Sequence, residues 1–315
     1  MKVVLFCGGL GTRLRDYDEN TPKPMVTIGY RPIIWHIMKY YAHFGHNDFV
    51  LCLGYKADVI KRYFLEYDEC LSNDFILSEG GQRVEVLNSD IQDWRITFAD
   101  TGVSSTIGER LRRVRLYVEG EEMFLANYTD CLTDMNLQTS IEYFRECGRT
   151  AGFITVPPSV SQHYVTSDNG IVTALHDVHN TTLRVNGGYF AFRQEIFDYL
   201  REGEELVDGP FQRLIEERQL ANFEYDGFWK AMDTFKDKQQ FDDIYANGAG
   251  PWEIWRQASV QSPLWRGSNP PIRRGRRRRV RRGSLGAGAS LAAGARSGGS
   301  RPGSADRLMT EPGSS

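Results

Sequence analysis

Blocks of apolar residues alternate with mixed blocks along residues 1–257, and they predict strands and helices in turn. The continuous apolar runs at 2–6 and 48–54 are typical of strands that are buried on both faces. The stretches at 32–45 and 57–67 carry their apolar residues at helical spacing. This β-α-β-α order predicts a parallel sheet with helices on both of its faces.

The alternation continues downstream and predicts more elements of the same kind. Strands are expected at 83–89, 94–100, 122–130 and 150–156, and a helix is expected at 137–148. A chain of 315 residues is long enough to bury a substantial core, in one large α/β domain or two ordinary ones.

A further helix is predicted at 106–118, because Thr106 and Glu109 have the spacing of a capping box at its start. This helix is rich in arginine. Arg110 has a special role only if an anionic group lies nearby. A solvated helix face accounts for the others, which are Arg112, Arg113 and Arg115.

Composition changes sharply after Gln257. Residues 258–315 contain twelve arginines, no lysine and two acids within low-complexity Gly/Ala/Ser/Arg sequence. Because this composition is too poor in large apolar residues to form a core, we expect a domain at 1–257 followed by a disordered tail at 258–315. The arginine run at 273–283 could tether RNA, DNA or a membrane, or it could be an unselected tail, and we favour the second interpretation.

The tail carries a net charge of +10, so the rest of the chain carries −13. An acidic body of this kind argues against a nucleic-acid-binding domain. No apolar run reaches the length of a membrane span, and the chain enters its first strand without a signal peptide, so we expect a cytoplasmic protein. The odd number of cysteines and the lack of a CxxC pair predict reduced, structural thiols. They are Cys7, Cys52, Cys70, Cys131 and Cys147.

The sequence GGLGTRL at 8–14 follows the first strand directly and is typical of a loop that holds phosphate. One candidate is a dinucleotide-binding loop, whose fingerprint is G-x-G-x-x-G at the start of a helix. Gly9 and Gly11 fit the first two glycines, but Leu14 stands at the third position, and 15–25 contains two prolines instead of a helical pattern. The dehydrogenase interpretation is therefore disfavoured.

The other candidate is a backbone-rich loop that wraps a nucleoside triphosphate. Thr12 adds a hydroxyl donor, and Arg13 adds a forked cation that suits phosphate oxygens. Lys23, between Pro22 and Pro24, adds a point charge on a stiffened segment. These donors favour a triphosphate, although a glycine-rich loop alone is also compatible with an ordinary turn.

The string G-G-x-G-T-R-L, followed by K-P-M at 23–25, resembles the signature of sugar-1-phosphate nucleotidylyltransferases. Other segments are similar to glucose-1-phosphate cytidylyltransferases in particular, so that the resemblance runs over roughly residues 1–256. These segments are 29–45, 51–64, 99–102, 108–114, 185–192, 227–234 and 250–255.

The resemblance implies a nucleotide-diphospho-sugar transferase-like, Rossmann-like fold, in which helices flank a mixed, mostly parallel sheet beside a small sugar-side lobe. It also implies a reaction in which a nucleoside triphosphate and a sugar 1-phosphate give an NDP-sugar and pyrophosphate. The sugar phosphate oxygen attacks the α-phosphorus in line, with Mg²⁺ as the cofactor. We also expect a homo-oligomer.

The same resemblance assigns roles to individual residues. Arg13 and Lys23 are the predicted catalytic residues, and Arg13 is the candidate for stabilising the leaving pyrophosphate. Asp130 and Asp233 are the predicted Mg²⁺ ligands, although residue type alone also fits a turn or a helix cap at each. The predicted nucleotide-binding residues are Gly8, Gly9, Gly11, Thr12, Arg13, Lys23 and Arg110. The predicted sugar-phosphate-binding residues are Asp177, Asn186 and Gly187.

The sequence departs from the family pattern in two places. The family motif E-K-P, whose lysine grips the phosphate of the sugar 1-phosphate, is replaced here by Asp177, Val178 and His179. In the strand-end motif G-D-G, Thr129 and Cys131 replace both glycines. A valine cannot neutralise a phosphate.

Three explanations of the missing lysine are open. Arg184 or a nearby histidine, His176 or His179, supplies the charge; the acceptor is a different sugar phosphate; or the protein is a catalytically weak, regulatory relative that binds nucleotide sugars. We favour an active enzyme that uses CTP and α-D-glucose 1-phosphate, or the same reaction with another nucleotide or sugar phosphate.

Overall fold

The computed structural model describes residues 1–9, 21–158, 163–177, 182–248 and 250–256. The predictions for Gly11, Thr12, Arg13, Val178, His179 and the tail 258–315 fall outside the described residues. The domain boundary at 257 therefore stays a prediction.

Seven strands form the central sheet, and six of them run parallel to one another. They are β1 (Lys2–Phe6), β4 (Asp48–Leu53), β7 (Arg95–Asp100), β8 (Met123–Asn127), β10 (Ala151–Val156), β13 (Val185–Arg193) and β14 (Leu220–Glu224). The spatial order is β14-β10-β13-β8-β1-β4-β7, and β13 alone is antiparallel to its neighbours. This confirms the predicted mixed, mostly parallel sheet.

Antiparallel two-stranded ribbons accompany the sheet within the described ranges. They pair β2 (Thr27–Ile28) with β3 (Arg31–Pro32), β5 (Phe75–Ser78) with β6 (Arg83–Val86), β9 (Cys131–Thr133) with β15 (Trp229–Ala231), and β11 (His163–Asp168) with β12 (Ile171–Asp177). The β9–β15 ribbon matters most for function, because it joins the end of β8 to the segment that carries Asp233.

Helices pack on both faces of the sheet. They are α1 (Ile33–His43), α2 (Ala57–Leu65), α3 (Ile107–Arg113), α4 (Arg115–Val118), α5 (Leu137–Cys147), α6 (Ile196–Tyr199), α7 (Pro210–Glu216) and α8 (Phe235–Ala246). In the described part of the chain, none is long and apolar enough to cross a membrane. None of the five cysteines, all of which lie in the described ranges, forms a disulfide, in agreement with the prediction of reduced thiols.

Alternate residues of the central strands belong to two separate hydrophobic cores, one on each face of the sheet. In β1, Val3 and Leu5 belong to the core beneath α1 and α5, whereas Val4 and Phe6 belong to the core beneath α3 and α7. Successive side chains of a strand point to opposite faces of a sheet. A strand that is apolar at every position is therefore buried on both sides, as the continuous apolar runs predict.

The prediction of a single helix at 106–118 is wrong in one respect, because α3 ends at Arg113 and a separate helix, α4, begins at Arg115. Its capping box is also only half formed. The Thr106 hydroxyl accepts the Glu109 N–H at 3.2 Å, as predicted. The Glu109 carboxylate instead binds Arg112 and Arg113, and these ion pairs outweigh its burial and lower the pKa of Glu109 to about 2.

His36 of α1 is almost completely buried among aromatic rings. Its Nε2 donates to the Ile28 carbonyl oxygen at 3.1 Å, and its Nδ1 accepts the indole N–H of Trp252 at 3.3 Å. Together these bonds require a neutral ring that carries its proton on Nε2. Burial is the main cause that lowers the pKa of His36 to about 4.

This neutral histidine predicts a loss of stability in mild acid. The unfolded chain protonates the imidazole near pH 6.5, whereas the folded chain does so only near pH 4. The contribution is complete above pH 6.5 and falls as the pH drops toward 4. Between pH 7 and pH 5 we expect His36 to lower the free energy of unfolding by about 2 kcal/mol.

Urea unfolding at the two pH values measures this loss. His36→Gln should reduce the difference by about 2 kcal/mol, and it should leave the share of His46, whose pKa burial also lowers to about 4. His163→Gln, which changes an exposed histidine of β11, should leave the difference as in the wild type. An unchanged pH dependence in His36→Gln would contradict the assignment.

Candidate active site

Lys23 lies in a short 3-10 turn that two prolines stiffen. The turn spans Lys23–Met25, with Pro22 before it and Pro24 inside it. The Met25 N–H donates to the Pro22 carbonyl oxygen at 2.7 Å, which closes the turn. Proline fixes φ near the value that such a turn needs, so the lysine is held on a rigid backbone. The structure agrees with the stiffened segment predicted from the sequence.

Two aspartates from distant parts of the chain converge on Lys23. The ammonium Nζ donates to Asp130 Oδ2 at 2.8 Å and to Asp233 Oδ1 at 2.6 Å. Asp130 follows β8 and precedes β9, and Asp233 follows β15. The Met232 N–H donates to the Asp130 carbonyl oxygen at 2.8 Å, which continues the β9–β15 pairing up to the two carboxylates.

Helix capping does not account for Asp233. The N-cap of α8 is Thr234, whose hydroxyl accepts the Asp237 N–H while the Asp237 carboxylate accepts the Thr234 N–H. The Asp233 carboxylate is directed to Lys23 instead. Since a neighbouring residue completes the capping box, Asp233 is available for another role.

Charge at this cluster is unbalanced. One ammonium lies between two carboxylates, which leaves a net charge of −1 within the group. Burial opposes the charge on Lys23, but the two aspartates outweigh it and raise the pKa of the ammonium. Burial and the nearby Asp233 raise the pKa of Asp130 against the attraction of Lys23. A further cation would therefore be favoured here.

The donor set fits a magnesium ion. Mg²⁺ takes hard oxygen ligands and is commonly bound by one or two carboxylates together with substrate phosphates. Within the described ranges, no group of three or more His, Cys, Asp or Glu side chains could hold a metal alone. Two convergent aspartates with excess negative charge match a metal that shares its coordination with a phosphate substrate.

Thr129, beside Asp130, has the backbone conformation of a glycine. Its φ is +63°, in the left-handed region that a β-branched residue rarely adopts. The Thr129 N–H donates to Asn127 Oδ1 at 2.8 Å, and its hydroxyl donates to the Phe6 carbonyl oxygen at 2.8 Å. The turn that glycine normally provides is thus kept here by hydrogen bonds, and the position of Asp130 is retained.

Gly8 and Gly9 begin the predicted phosphate loop and differ in their surroundings. A Cβ on Gly8 would lie 2.0 Å from Nη1 of Arg110, so a side chain there would require the guanidinium to move. A Cβ on Gly9 would meet no atom within 4 Å, and this residue is exposed. Packing explains the first glycine, whereas the second is free for a ligand to approach its backbone.

Arg110 is buried rather than displayed on the surface of α3, and its exposed fraction is 2%. Nη2 donates to the Gly8 carbonyl oxygen at 2.9 Å, and Nη1 donates to Thr101 Oγ1 at 2.7 Å. Two longer bonds reach the carbonyl oxygens of Leu53 and Val103. These acceptors are neutral protein atoms, and a direct nucleotide contact by Arg110 stays a prediction.

The predicted sugar-phosphate residues lie on two different elements. Asp177 ends β12, in a ribbon outside the central sheet. Asn186 and Gly187 lie in β13, and the Asn186 side chain accepts the Gly188 N–H at 2.9 Å. A Cβ on Gly187 would lie 2.5 Å from Ile154, so packing alone requires this glycine.

Arg184, a candidate for the charge missing at Val178, is engaged elsewhere. Its guanidinium donates to the Thr155 and Tyr225 carbonyl oxygens at 3.1 and 2.8 Å, and to Asp226 Oδ1 at 2.8 Å. These bonds join the residue before β13 to the end of β10 and to the segment after β14. The arginine acts as a structural tie, and its charge is already paired.

Two cysteines lie next to candidate site residues in the sequence, Cys7 before Gly8 and Cys131 after Asp130, and both are poor nucleophiles. Cys7 and Cys131 are buried, and burial raises the pKa of both thiols well above its usual range. The Cys131 thiol donates to the Gly187 carbonyl oxygen at 3.3 Å. A covalent thiol mechanism is therefore disfavoured, as the sequence indicates.

Sequence reasoning missed Asn127 and Thr101. Asn127 is completely buried at the end of β8, and its side chain accepts a hydrogen bond from the Thr129 N–H. The Thr101 hydroxyl accepts a hydrogen bond from the Arg110 guanidinium. A polar residue at the end of a continuous apolar strand was the available signal for Asn127. Nothing in the local pattern distinguishes Thr101, because its partner lies on the next helix.

Comparisons with known proteins identify the family of this chain. The nucleotidyl transferase family model matches residues 2–237. A "probable glucose-1-phosphate cytidylyltransferase" of Bacillus subtilis (strain 168) is 36% identical over 258 residues, which are 81% of this chain and 100% of the relative. The glucose-1-phosphate cytidylyltransferase of Salmonella typhi is 35% identical over 257 residues, with the same two coverages.

Solved structures support the fold. The UDP-glucose pyrophosphorylase of Acinetobacter baumanii superposes with a TM-score of 0.58 at 15% identity, over 82% of this chain and 98% of that one. The range matched by the family model, residues 2–237, spans the positions of Lys23, Asp130 and Asp233, whose roles stay a prediction. The chain therefore belongs to the nucleotidyl transferase family and is a nucleotidyltransferase related to the glucose-1-phosphate cytidylyltransferases.

Proposed function

We propose that the protein transfers CMP from CTP to α-D-glucose 1-phosphate, with Mg²⁺, and releases pyrophosphate. The convergence of Asp130 and Asp233 on Lys23 carries the proposal, because it combines a divalent-cation site with a cation for phosphate at one place. The names of the relatives that match over their full length support the choice of CTP and glucose 1-phosphate.

In this mechanism the chain mainly orients and neutralises two anions. Asp130 and Asp233 would hold the metal, which supplies positive charge to the phosphates when it is bound. The Lys23 ammonium has three N–H donors, and its bonds to the two carboxylates use two of them. The third is suited to a phosphate oxygen, so Lys23 stabilises negative charge that develops as the pyrophosphate leaves.

A screen for pyrophosphate release tests the proposal. The full-length protein is incubated with Mg²⁺, with CTP, UTP, dTTP, ATP or GTP, and with a panel of sugar 1-phosphates. We expect the highest kcat/KM with CTP and glucose 1-phosphate. Preference for another nucleotide or sugar would correct the substrates, and no release from any pair would overturn the enzymatic function.

A catalytically weak, nucleotide-sugar-binding relative is the second candidate, and Val178 is the observation that favours it. Val178→Lys restores the lysine of the family motif. An increase in turnover with glucose 1-phosphate would mean that the wild-type chain is weakened for this acceptor or prefers another one.

A further inference from the structure

The two residues that flank Asp130 each donate a side-chain hydrogen bond to a different neighbouring strand. The Thr129 hydroxyl donates to the Phe6 carbonyl oxygen of β1 at 2.8 Å, and the Cys131 thiol donates to the Gly187 carbonyl oxygen of β13 at 3.3 Å. Strand β8 lies between β13 and β1 in the sheet. The chain just after β8 is therefore tied to the strands on both of its sides.

The bond from Thr129 extends the link between β8 and β1 beyond their last backbone pairing. Parallel pairing of the two strands runs as far as Leu5 and Asn127. The Thr129 N–H does not continue this ladder, because it donates to Asn127 Oδ1 at 2.8 Å. The hydroxyl, which is also 2.6 Å from the Tyr128 carbonyl oxygen, binds the Phe6 carbonyl oxygen instead. A side chain thus links the two strands where the main chain does not.

The bonds of Thr129 also hold its backbone in an unfavourable conformation. Its φ of +63° is in the left-handed region, which is strained for a β-branched residue. Strain of this kind persists only where the surrounding structure enforces it. Here the bonds to Phe6 and Asn127 enforce it. Removal of the hydroxyl should therefore let the backbone relax and move the neighbouring Asp130.

Cys131 packs closely against β13 on the other side. Its carbonyl oxygen accepts the Tyr189 hydroxyl at 3.0 Å, and a Cβ on Gly188 would lie only 3.2 Å from its Sγ. The Trp229 indole N–H donates to the same Gly187 carbonyl oxygen as the thiol, at 2.8 Å. Since this acceptor stays satisfied without the thiol, loss of the thiol should change the position of residue 131 more than the stability of the fold.

The two tethered strands lead to the two predicted substrate sites. Strand β1 continues into the loop that begins at Gly8, and β13 carries Asn186 and Gly187. A metal ligand that is fixed relative to both strands needs little rearrangement on binding, which lowers the cost of binding. Groups that orient a metal ligand typically change the metal affinity about tenfold to a hundredfold when they are removed.

We propose that Thr129 and Cys131 are positioning residues for the divalent cation: their side-chain bonds to β1 and β13 fix the Asp130 carboxylate for the metal. This inference rests on the proposed function, because it takes Asp130 as a Mg²⁺ ligand. It assigns the effect of both side chains to the orientation of Asp130 rather than to a contact with a substrate.

Binding of Mn²⁺ to the full-length protein without nucleotide, measured by electron paramagnetic resonance, tests the role of Thr129. Thr129→Val keeps the branched shape and removes the hydroxyl, and we expect it to raise the Kd for Mn²⁺ about tenfold to a hundredfold. Thr129→Ser retains the donor and should stay within about threefold of the wild type. Thr150→Val, which removes a buried hydroxyl just before β10, is the matched control and should keep the wild-type Kd. A merely structural hydroxyl would lower Tm in Thr129→Val while the Kd stayed unchanged, and that result would overturn the inference.

Cys131→Ala tests the second tether, and it decides the matter even if Thr129→Val does not fold. A thiol is a weak donor, so we expect the Kd for Mn²⁺ to rise about threefold to tenfold. In both Thr129→Val and Cys131→Ala, pyrophosphate release should need more Mg²⁺ to reach its half-maximal rate. An unchanged Kd in Cys131→Ala would overturn the role of this residue. If the wild-type protein binds no Mn²⁺, the metal site of the proposed function fails and this inference with it, whereas Mn²⁺ binding that neither variant weakens refutes the inference alone.

Discussion

Lys23→Ala will reduce the rate of pyrophosphate release by about a hundredfold to a thousandfold or more. We expect only a small change in the free energy of unfolding. The lysine provides the positive charge between Asp130 and Asp233, at 2.8 and 2.6 Å from their oxygens. Without it, two carboxylates face each other and repel an incoming triphosphate. Steady-state kinetics with CTP and glucose 1-phosphate measure the effect, and Asp130→Ala should be inactive to a similar degree.

The surface of α2 offers a control for this experiment. Lys61→Ala removes an exposed lysine and should retain the wild-type rate. A second measurement separates the electrostatic role from a loss of folding: binding of Mn²⁺ in the absence of nucleotide should be stronger in Lys23→Ala than in the wild type, because the ammonium no longer competes for the two aspartates. Wild-type activity in Lys23→Ala would refute the site assignment.

Arg31→Met will destabilise the protein by up to about 3–5 kcal/mol, because it breaks a buried ion pair and leaves Asp90 with Lys39, 3.5 Å away, as its remaining cationic partner. Arg31 and Asp90 have side chains that are only 3% and 8% exposed, and their closest charged atoms are 3.4 Å apart. The guanidinium also donates to the Ser72 hydroxyl at 2.6 Å and to the Asp68 carbonyl oxygen at 2.8 Å.

This network anchors the segment between α2 and β7 to the domain. The apolar residues of the β5–β6 ribbon are largely exposed, with Phe75, Ile76 and Leu77 between 44% and 59% accessible. A two-stranded ribbon is marginally stable alone, and polar contacts from Arg31, Trp35 and Lys39 to the surrounding segment help to hold it in place. Loss of Arg31 should therefore also speed proteolytic cleavage between residues 66 and 90.

Urea unfolding measures the global effect. Arg62→Met breaks the exposed Arg62–Asp58 pair on α2 and should cost less than about 1 kcal/mol. The double variant Arg31→Met/Asp90→Asn should be less destabilised than the sum of the two single variants, since both buried charges are then removed together. A loss no larger than that of Arg62→Met would refute the anchoring role.

Much of the fold followed from local pattern. The strand at 2–6 and the helices at 33–43 and 137–147 lie within one or two residues of their predicted bounds, because continuous apolar runs and 3.6-residue periodicity are local properties. The break at Val114 was not visible in the pattern. Apolar side chains remain at helical spacing across it, and only the backbone shows where α3 ends.

The sequence by itself determined the family and the alternating α/β architecture, and it supplied the charged residues of the candidate site. These properties can be read from the order of residues along the chain, and Lys23 between two prolines is an example. Only the tertiary structure decided which charges meet. Asp130 and Asp233 are brought together by pairing of β9 with β15, and Arg110 is directed into the protein rather than outward. Contacts between residues far apart in sequence depend on strand order and packing, which no local pattern encodes.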